Sequence, residues 1–365
     1  MMEDVSELLA QLVAIDSVNP DLVSGGAGEG EIAGFVAGWL ERAGLEVELD
    51  EVAPGRPNVI AVKRGSGGGR SLMLNAHMDT VGVEGMEHPF EPEILDGRLY
   101  GRGAYDMKAS LAAIMAAAAE AGPLRGDLIL RTDGVVARMR ADAAIVTEPT
   151  ALDLGVAHKG FVWLEIETKG RAAHGSRSDL GVDAIAKMGS VLVELEAIDR
   201  SLHADPTHPL LGSGSLHASL IRGGQELSSY PERCVVGIER RTIPGETAAF
   251  VVREITESVE RCHASDPALT ASVRPLFARG PFEVGEDEAV VQLVRRHAAA
   301  VRGTEPAAIG MFGWQDSAIL SDAGIPTVVF GPGGEGAHAV VEWSDLAETA
   351  QCAEILRAVA EDFCG

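Results

Sequence analysis

Four short segments of this chain end apolar runs in residues that can hold a metal ion or move a proton. Leu74-Asn75-Ala76-His77-Met78-Asp79-Thr80 closes one run with an imidazole and a carboxylate two residues apart. Period-two geometry puts both side chains on one side of the chain, so that Asp79 can orient or polarise His77. In Leu99-Tyr100-Gly101-Arg102-Gly103-Ala104-Tyr105-Asp106-Met107-Lys108 a carboxylate stands just before an Ala-rich stretch. The glycines allow tight turns that aim it into a cleft, and Asp106 equally suits the N-cap of the helix expected next. The run Ala143 to Val146 ends in Thr147-Glu148-Pro149-Thr150, and Pro326 to Phe330 leads through a glycine-rich loop to His338. Two histidines and two carboxylates form a mixed nitrogen and oxygen donor set of the kind that binds Zn²⁺ or Co²⁺.

The elements that must position these groups follow from hydrophobic spacing. Helical periodicity runs from Val5 to Ile15 and from Glu31 to Ala43, and the Ala-rich stretch Met107 to Ala121 predicts a third helix closed by Gly122-Pro123. Asn58 to Val62, Ser71 to Asn75, Asp127 to Leu130, Ala143 to Val146 and Pro326 to Phe330 are continuous apolar runs, which suits strands buried on both faces of a largely parallel sheet. Strand and helix alternate, so the outer parts read as α/β. The middle changes character. Val162 to Thr168 alternates apolar and polar residues, as a strand with one wet face does. A long helix from Gly181 to Ile198 and exposed strands at Cys234 to Glu239 and Ala271 to Leu276 complete the pattern. The expected organisation is a mostly parallel-sheet α/β domain in two parts, residues 1–157 and 279–365, with an inserted α+β domain over 158–278. The strand at Val162 to Thr168 is expected at an edge, available to a symmetry mate. No glycine cluster has the phosphate-cradling Gly-x-x-x-x-Gly-Lys-Ser/Thr form.

The chain has 365 residues, 46% of them hydrophobic, and a formal net charge of −25. That charge repels phosphate backbones and anionic membrane surfaces, which argues against nucleic-acid and membrane partners. The acidic residues scattered from Met1 to Pro20 fit neither a signal peptide nor an anchor, so the expected location is the cytoplasm. Cys234, Cys262, Cys352 and Cys364 form no Cys-x-x-Cys and read as reduced, mostly buried thiols.

Taken together and in order, these motifs resemble the M20 metallopeptidases and deacylases, the family of acetylornithine deacetylase and succinyl-diaminopimelate desuccinylase. Gly170 to Ser176 with His174, Arg240 to Glu246, and Gly333 to Trp343 extend the resemblance over essentially the whole chain, and it implies that the α/β part is a mostly parallel-sheet metallohydrolase domain and the inserted α+β part its lid or dimerisation domain. It implies that Asp106 bridges two metal ions, that His77 and Glu148 complete one site, and that His338 helps hold the other. It implies too that Asp79 supports His77, and that His174 reaches a neighbouring subunit's active site in a homodimer, where it steadies a developing oxyanion. Arg241 matches a position that grips a substrate carboxylate, and an ion pair with Glu239 or Glu246 is the alternative. The cofactor implied is a pair of Zn²⁺ ions, or Co²⁺, about 3.5 to 4 Å apart.

One part of the family pattern is missing. After the strand ending at Leu130, relatives carry an Asp-Glu-Glu segment whose first Glu is the general base and whose second is a ligand of the metal shared with His338. Here the chain passes from Leu130 through Asp133-Gly134 to Ala141 without it. Three readings are open: a segment of the working enzyme is absent from this sequence, a deletion has removed activity, or Asp133 serves as base or ligand. The implied function is hydrolysis of the amide bond of an N-acyl amino acid. The alternatives are a dipeptidase or aminopeptidase of the same fold acting on a short peptide, and a catalytically impaired metal-binding relative.

Overall fold

The computed structural model describes residues 4–132 and 140–365. They form eight helices, α1 (Val5–Val13), α2 (Gly30–Arg42), α3 (Ala109–Glu120), α4 (Ala184–Ala204), α5 (Ala248–Ser265), α6 (Ala289–Arg302), α7 (Ser317–Asp322) and α8 (Leu346–Cys364). The strands are β1 (Glu46–Ala53), β2 (Arg56–Lys63), β3 (Leu72–Asn75), β4 (Glu93–Leu95), β5 (Arg98–Tyr100), β6 (Leu128–Arg131), β7 (Ala143–Val146), β8 (Leu154–His158), β9 (Gly160–Lys169), β10 (Ser215–Gly223), β11 (Arg233–Thr242), β12 (Thr270–Arg279), β13 (Phe282–Glu283), β14 (Ala308–Met311), β15 (Thr327–Val329), β16 (Gly334–Glu335) and β17 (Trp343–Asp345). The chain divides into two compact units: Met1–Val156 with Val284–Ile309 and Gln315–Gly365, and Ala157–Glu283 with Gly310–Trp314. Residues 310–314, which the sequence pattern leaves in the α/β part, thus group with the second unit.

The first unit is α/β. Its sheet runs β1-β2-β6-β3-β7-β15-β8. The four central strands β6, β3, β7 and β15 are parallel, and antiparallel strands flank them. Every residue of β3, β6, β7 and β15 is buried, as expected for strands covered on both faces. Helices α1, α2, α3, α6 and α8 contribute to one continuous apolar core, in which α3 packs against α1 and α8. All ten residues from Ala109 to Ala118 are buried. Small Ala side chains there let α3 sit close to its neighbours and carry high helix propensity. A small antiparallel sheet, β16-β17-β5-β4, joins the chain before Asp106 to the chain after His338. Among the described residues no helix is long and apolar enough to cross a membrane. All four cysteines are free and buried.

The second unit is α+β, a sheet in the order β10-β11-β9-β12 whose strand pairs are all antiparallel. On β9, Val162, Leu164 and Ile166 point into a core completed by residues of α4 and α5, while Trp163 on the opposite face is exposed. The alternation predicted for this strand is present. Its expected edge position is not, because β11 and β12 pair with its two sides and β10 and β12 form the edges. An apolar-in, polar-out pattern reports the faces of a strand and carries no information about its lateral neighbours. Leu164→Ala should therefore lower the unfolding free energy by about 2–5 kcal/mol. Glu165→Ala on the same strand, which loses only a solvent-exposed pair with Arg274, should cost less than about 1 kcal/mol. Urea unfolding of the two variants measures the contrast, and equal losses would contradict this assignment of faces.

Candidate metal centre

β3 and β7 are parallel neighbours, with Asn75 opposite Val146. The chain leaving each strand enters the centre from the same edge, which brings His77 and Glu148 together. Thr147 locks the two exits: its N–H and its Oγ1 both donate to the Asn75 carbonyl, each at 2.9 Å. The loop after β15 crosses close by, since a Cβ at Gly331 would lie 2.4 Å from the Thr147 oxygen and 2.6 Å from the Glu148 oxygen. Only glycine fits this approach.

Asp106 arrives on the loop between β5 and α3. It lies in a wide helical turn, Ala104–Lys108, but its own backbone is extended, with φ −118° and ψ 92°. Of the two roles that its sequence position suits, donor and cap of the Ala-rich helix, Asp106 does not take the second. The N-cap of α3 is Lys108, which makes no side-chain cap hydrogen bond, and the Asp106 carboxylate turns to the histidines instead. Lys108 is buried and its Nζ donates to the Ile15 carbonyl at 2.7 Å, which pins the end of this turn to the exit of α1. Burial pushes the Lys108 ammonium down to about 7.

Asp106 is the hub. Its Oδ1 is 3.1 Å from His77 Nε2 and its Oδ2 is 3.3 Å from His338 Nε2. His77 Nε2 is 3.8 Å from Glu148 Oε1, and one donor atom from each of His77, Asp106 and Glu148 lies within 4.8 Å of the others. On the far side of the ring, His77 Nδ1 is 3.1 Å from the Asp79 carbonyl and 3.2 Å from Asp79 Oδ1, and Asn19 Nδ2 donates to Asp79 Oδ2 at 2.9 Å. This arrangement directs Nε2 toward Asp106 and Glu148. His338 is largely exposed and sits in a left-handed turn at φ 62°.

The electrostatics match a cation site. Burial, with neighbouring Asp106, Asp316 and Asp79, pushes the Glu148 carboxyl up to about 8 despite the nearby His77. Burial opposes the charged form of His77 too, but hydrogen bonds to Asp106 and Asp79 outweigh it and hold the imidazole well above its ordinary value of 6.5. Burial would likewise raise Asp106, yet contact with His338 and His77 holds it well below the carboxylate range. Carboxylates and imidazoles at this spacing retain protons to limit mutual repulsion. A divalent cation would take over that role, so the residues present fit the metal that the donor types imply.

His174 and Arg241 belong to the second unit. His174 is exposed, with Nδ1 2.8 Å from Ser176 Oγ. Arg241 donates through Nε to Glu239 Oε1 at 2.7 Å and lies over the Phe161 ring, and it is Arg240 that engages Glu246. Asp133 falls outside the described residues. Asp316, whose charge reaches Glu148, escaped the sequence reading because it follows no recognised strand end. Glu342 escaped it as well, lacking any signal that a carboxylate so far along the chain returns to Asp106.

Residues 73–362 match the sequence model of peptidase family M20/M25/M40. Acetylornithine deacetylase of Myxococcus xanthus is 30% identical over 385 residues, covering 98% of this chain and 97% of that protein. N-formyl-4-amino-5-aminomethyl-2-methylpyrimidine deformylase of Halalkalibacterium halodurans is 27% identical over 410 residues, covering 99% and 95%. In three dimensions the chain is similar to the Bacillus subtilis YXEP protein, described as a dinuclear metal binding peptidase of the M20 family, with a TM-score of 0.75, 16% identity, and coverage of 99% and 97%. The fold, the convergent donor set and these matches lead to one conclusion: the chain is an enzyme of peptidase family M20/M25/M40.

Proposed function

We propose that this hydrolase cleaves the amide bond of an N-acyl amino acid, with His77, Asp106 and Glu148 holding one divalent ion and Asp106 and His338 sharing a second. The observation that carries this reading is the placement of Asp106, whose two carboxylate oxygens each face a different imidazole. Zn²⁺ or Co²⁺ suits the donors. Bound there, such ions supply Lewis-acid polarisation of the scissile carbonyl and a more acidic water. In this reading Asp79 keeps the His77 ring in its ligating orientation. Arg241 offers its guanidinium donors beyond Nε to a substrate carboxylate, and His174 serves a neighbouring subunit. The acyl-releasing activities named for two relatives support an N-acyl substrate. Four buried, unpaired thiols support a reducing compartment such as the cytoplasm.

A second reading, a catalytically impaired relative, is supported by the stretch after Leu130, which carries no Glu-Glu pair. The alignment to the deacetylase spans 385 residues, more than the 365 of this chain, as expected if the chain is shorter than its relative internally. General-base assistance of the kind such a Glu supplies is worth about 10² to 10⁴ in rate. The homodimer of this reading uses the second unit. Because β9 is internal, its natural surface is the β10 edge with the outer side of α4, where Leu220 (61%), Ile221 (54%) and Val193 (61%) are exposed.

Four outcomes test the proposal. The chain should bind one tight metal equivalent, at His77, Asp106 and Glu148, and a second much more weakly. It should hydrolyse N-acetylated amino acids poorly, and insertion of Asp-Glu-Glu after Leu130 should restore both the second metal and turnover. Rates typical of enzymes in the uninserted chain, roughly 1 to 10³ per second, would show that another group is the base. Metal affinity should rise with pH between 6 and 8. His77, held protonated above its ordinary range, and Glu148, titrating near 8, must both lose protons to bind, so affinity should climb at least about tenfold per pH unit. Competition against a chromophoric chelator measures this, and a flat profile would exclude Glu148 as a ligand. Finally, light scattering at micromolar concentration should report a dimer that Leu220→Arg converts to monomer. A wild-type monomer would remove the role given to His174.

A further inference from the structure

Arg102 and Glu342 form an ion pair at 2.6 Å in which each residue is 2% exposed. An isolated buried ion pair is poor at stabilising a fold, because desolvation of both charges offsets their attraction and an apolar pair of similar size often does as well. The hydrogen bonds around this pair do something an apolar pair cannot. Glu342 Oε2 accepts from Arg102 Nη1 and from the Gly103 N–H at 3.0 Å, while Oε1 accepts from the Tyr105 and Asp106 N–H groups, each at 3.0 Å. One carboxylate therefore fixes three amides of the loop that carries Asp106. Arg102 Nη2 donates in turn to the Ala339 carbonyl at 2.9 Å, next in the chain to His338. The His338 turn is itself tight: Gly336 and His338 both have positive φ, and Ala339 N–H donates to the Gly336 carbonyl at 2.9 Å.

We propose that Glu342 and Arg102 are positioning residues that hold the Asp106 loop and the His338 turn in register, Glu342 by seating the backbone of Asp106 and Arg102 by extending that hold to His338. The inference rests on the reading of Asp106 and His338 as ligands, and it goes beyond that reading by assigning residues that touch neither metal nor substrate. The two residues should fail differently. Loss of Glu342 disturbs Asp106, which serves both metal positions. Loss of the Arg102 bridge loosens only the His338 side.

The test uses the full chain with Co²⁺ alone as the probe, read by chelator competition and by the visible absorption of the bound ion. Glu342→Gln should weaken the tight equivalent by about 10- to 100-fold, the range seen when partners of ligands are removed, and should alter the Co²⁺ absorption. Glu342→Asp, which keeps the charge, should recover part of the loss. Arg102→Lys should leave the tight equivalent within about threefold and weaken the second at least about tenfold. If Glu342→Gln does not fold, the Asp and Lys variants carry the comparison. Hydrogen exchange of the metal-free protein supplies a readout that does not depend on metal binding: the Gly103, Tyr105 and Asp106 amides should lose protection in the Glu342 variants while amides of β6 keep theirs. A folded Glu342→Gln with wild-type affinity and absorption overturns the proposal, as does an Arg102→Lys that weakens both equivalents alike. Should the wild-type chain bind no Co²⁺, the ligand reading fails, and the exchange measurement alone then decides whether Glu342 seats the Asp106 loop.

Discussion

One carboxylate within reach of two imidazoles is the constraint that organises the first unit. Asp106 meets His77 on one side and His338 on the other, and these three residues belong to loops drawn from distant parts of the chain. Parallel β3 and β15 send the chains that lead to His77 and His338 out at one edge of one sheet, with β7 delivering Glu148 between them, while Asp106 comes to that edge on the loop after β5 of the small sheet. The buried strands and the Ala-rich α3 hold that edge rigid, because a tightly packed core leaves little room for the exits to drift.

Charge explains why the centre needs so many supports. The protein is acidic throughout, and at this edge Asp79, Asp106, Glu148 and Asp316 crowd together. Without a cation the strain is taken up by protons, with Glu148 retaining its proton to about pH 8 while both histidines are pushed toward their charged forms. Among the described residues, this preference for positive charge is not met directly by a Lys or Arg side chain. Lys108 is close in sequence but turns away to the Ile15 carbonyl, and Arg102 is spent on Glu342.

The periodic parts of this structure could be read from the residues alone. Continuous apolar runs located β3, β6, β7 and β15, and alternation located the faces of β9. Two of those runs led to His77 and Glu148, whose side chains lie 3.8 Å apart beside Asp106. What escaped were relations that depend on partners rather than on pattern. Asp106 suited two roles in the sequence, donor and helix cap, because Asp before an Ala-rich helix ordinarily caps it, and only the tertiary arrangement turns its carboxylate to the imidazoles and away from the helix. The β9 strand looked like an edge because a wet face and a free edge leave the same trace in a short segment. Glu342 could not be linked to Arg102 across 240 residues by any local signal.

The paired arginines of β11 show how the two kinds of information combine. Successive residues on a strand face opposite sides, and on β11 the parity of Cys234, Val236 and Ile238, all buried in the second unit's core, is also that of Arg240. Arg240 is accordingly 0% exposed at its side chain and held by Glu246 and Glu254. Arg241 has the other parity, 31% exposed, and shares its face with Glu239, Phe161 and Trp163, the indole N–H of Trp163 donating to the same Glu239 that pairs with Arg241. A buried guanidinium engaged by two partly buried carboxylates has little left to offer a ligand. One braced through Nε beside an aromatic ring keeps nitrogens outside that ion pair. Strand parity alone therefore separates the arginine buried in the core from the one left partly exposed on the other face, although the two are adjacent in sequence and chemically identical.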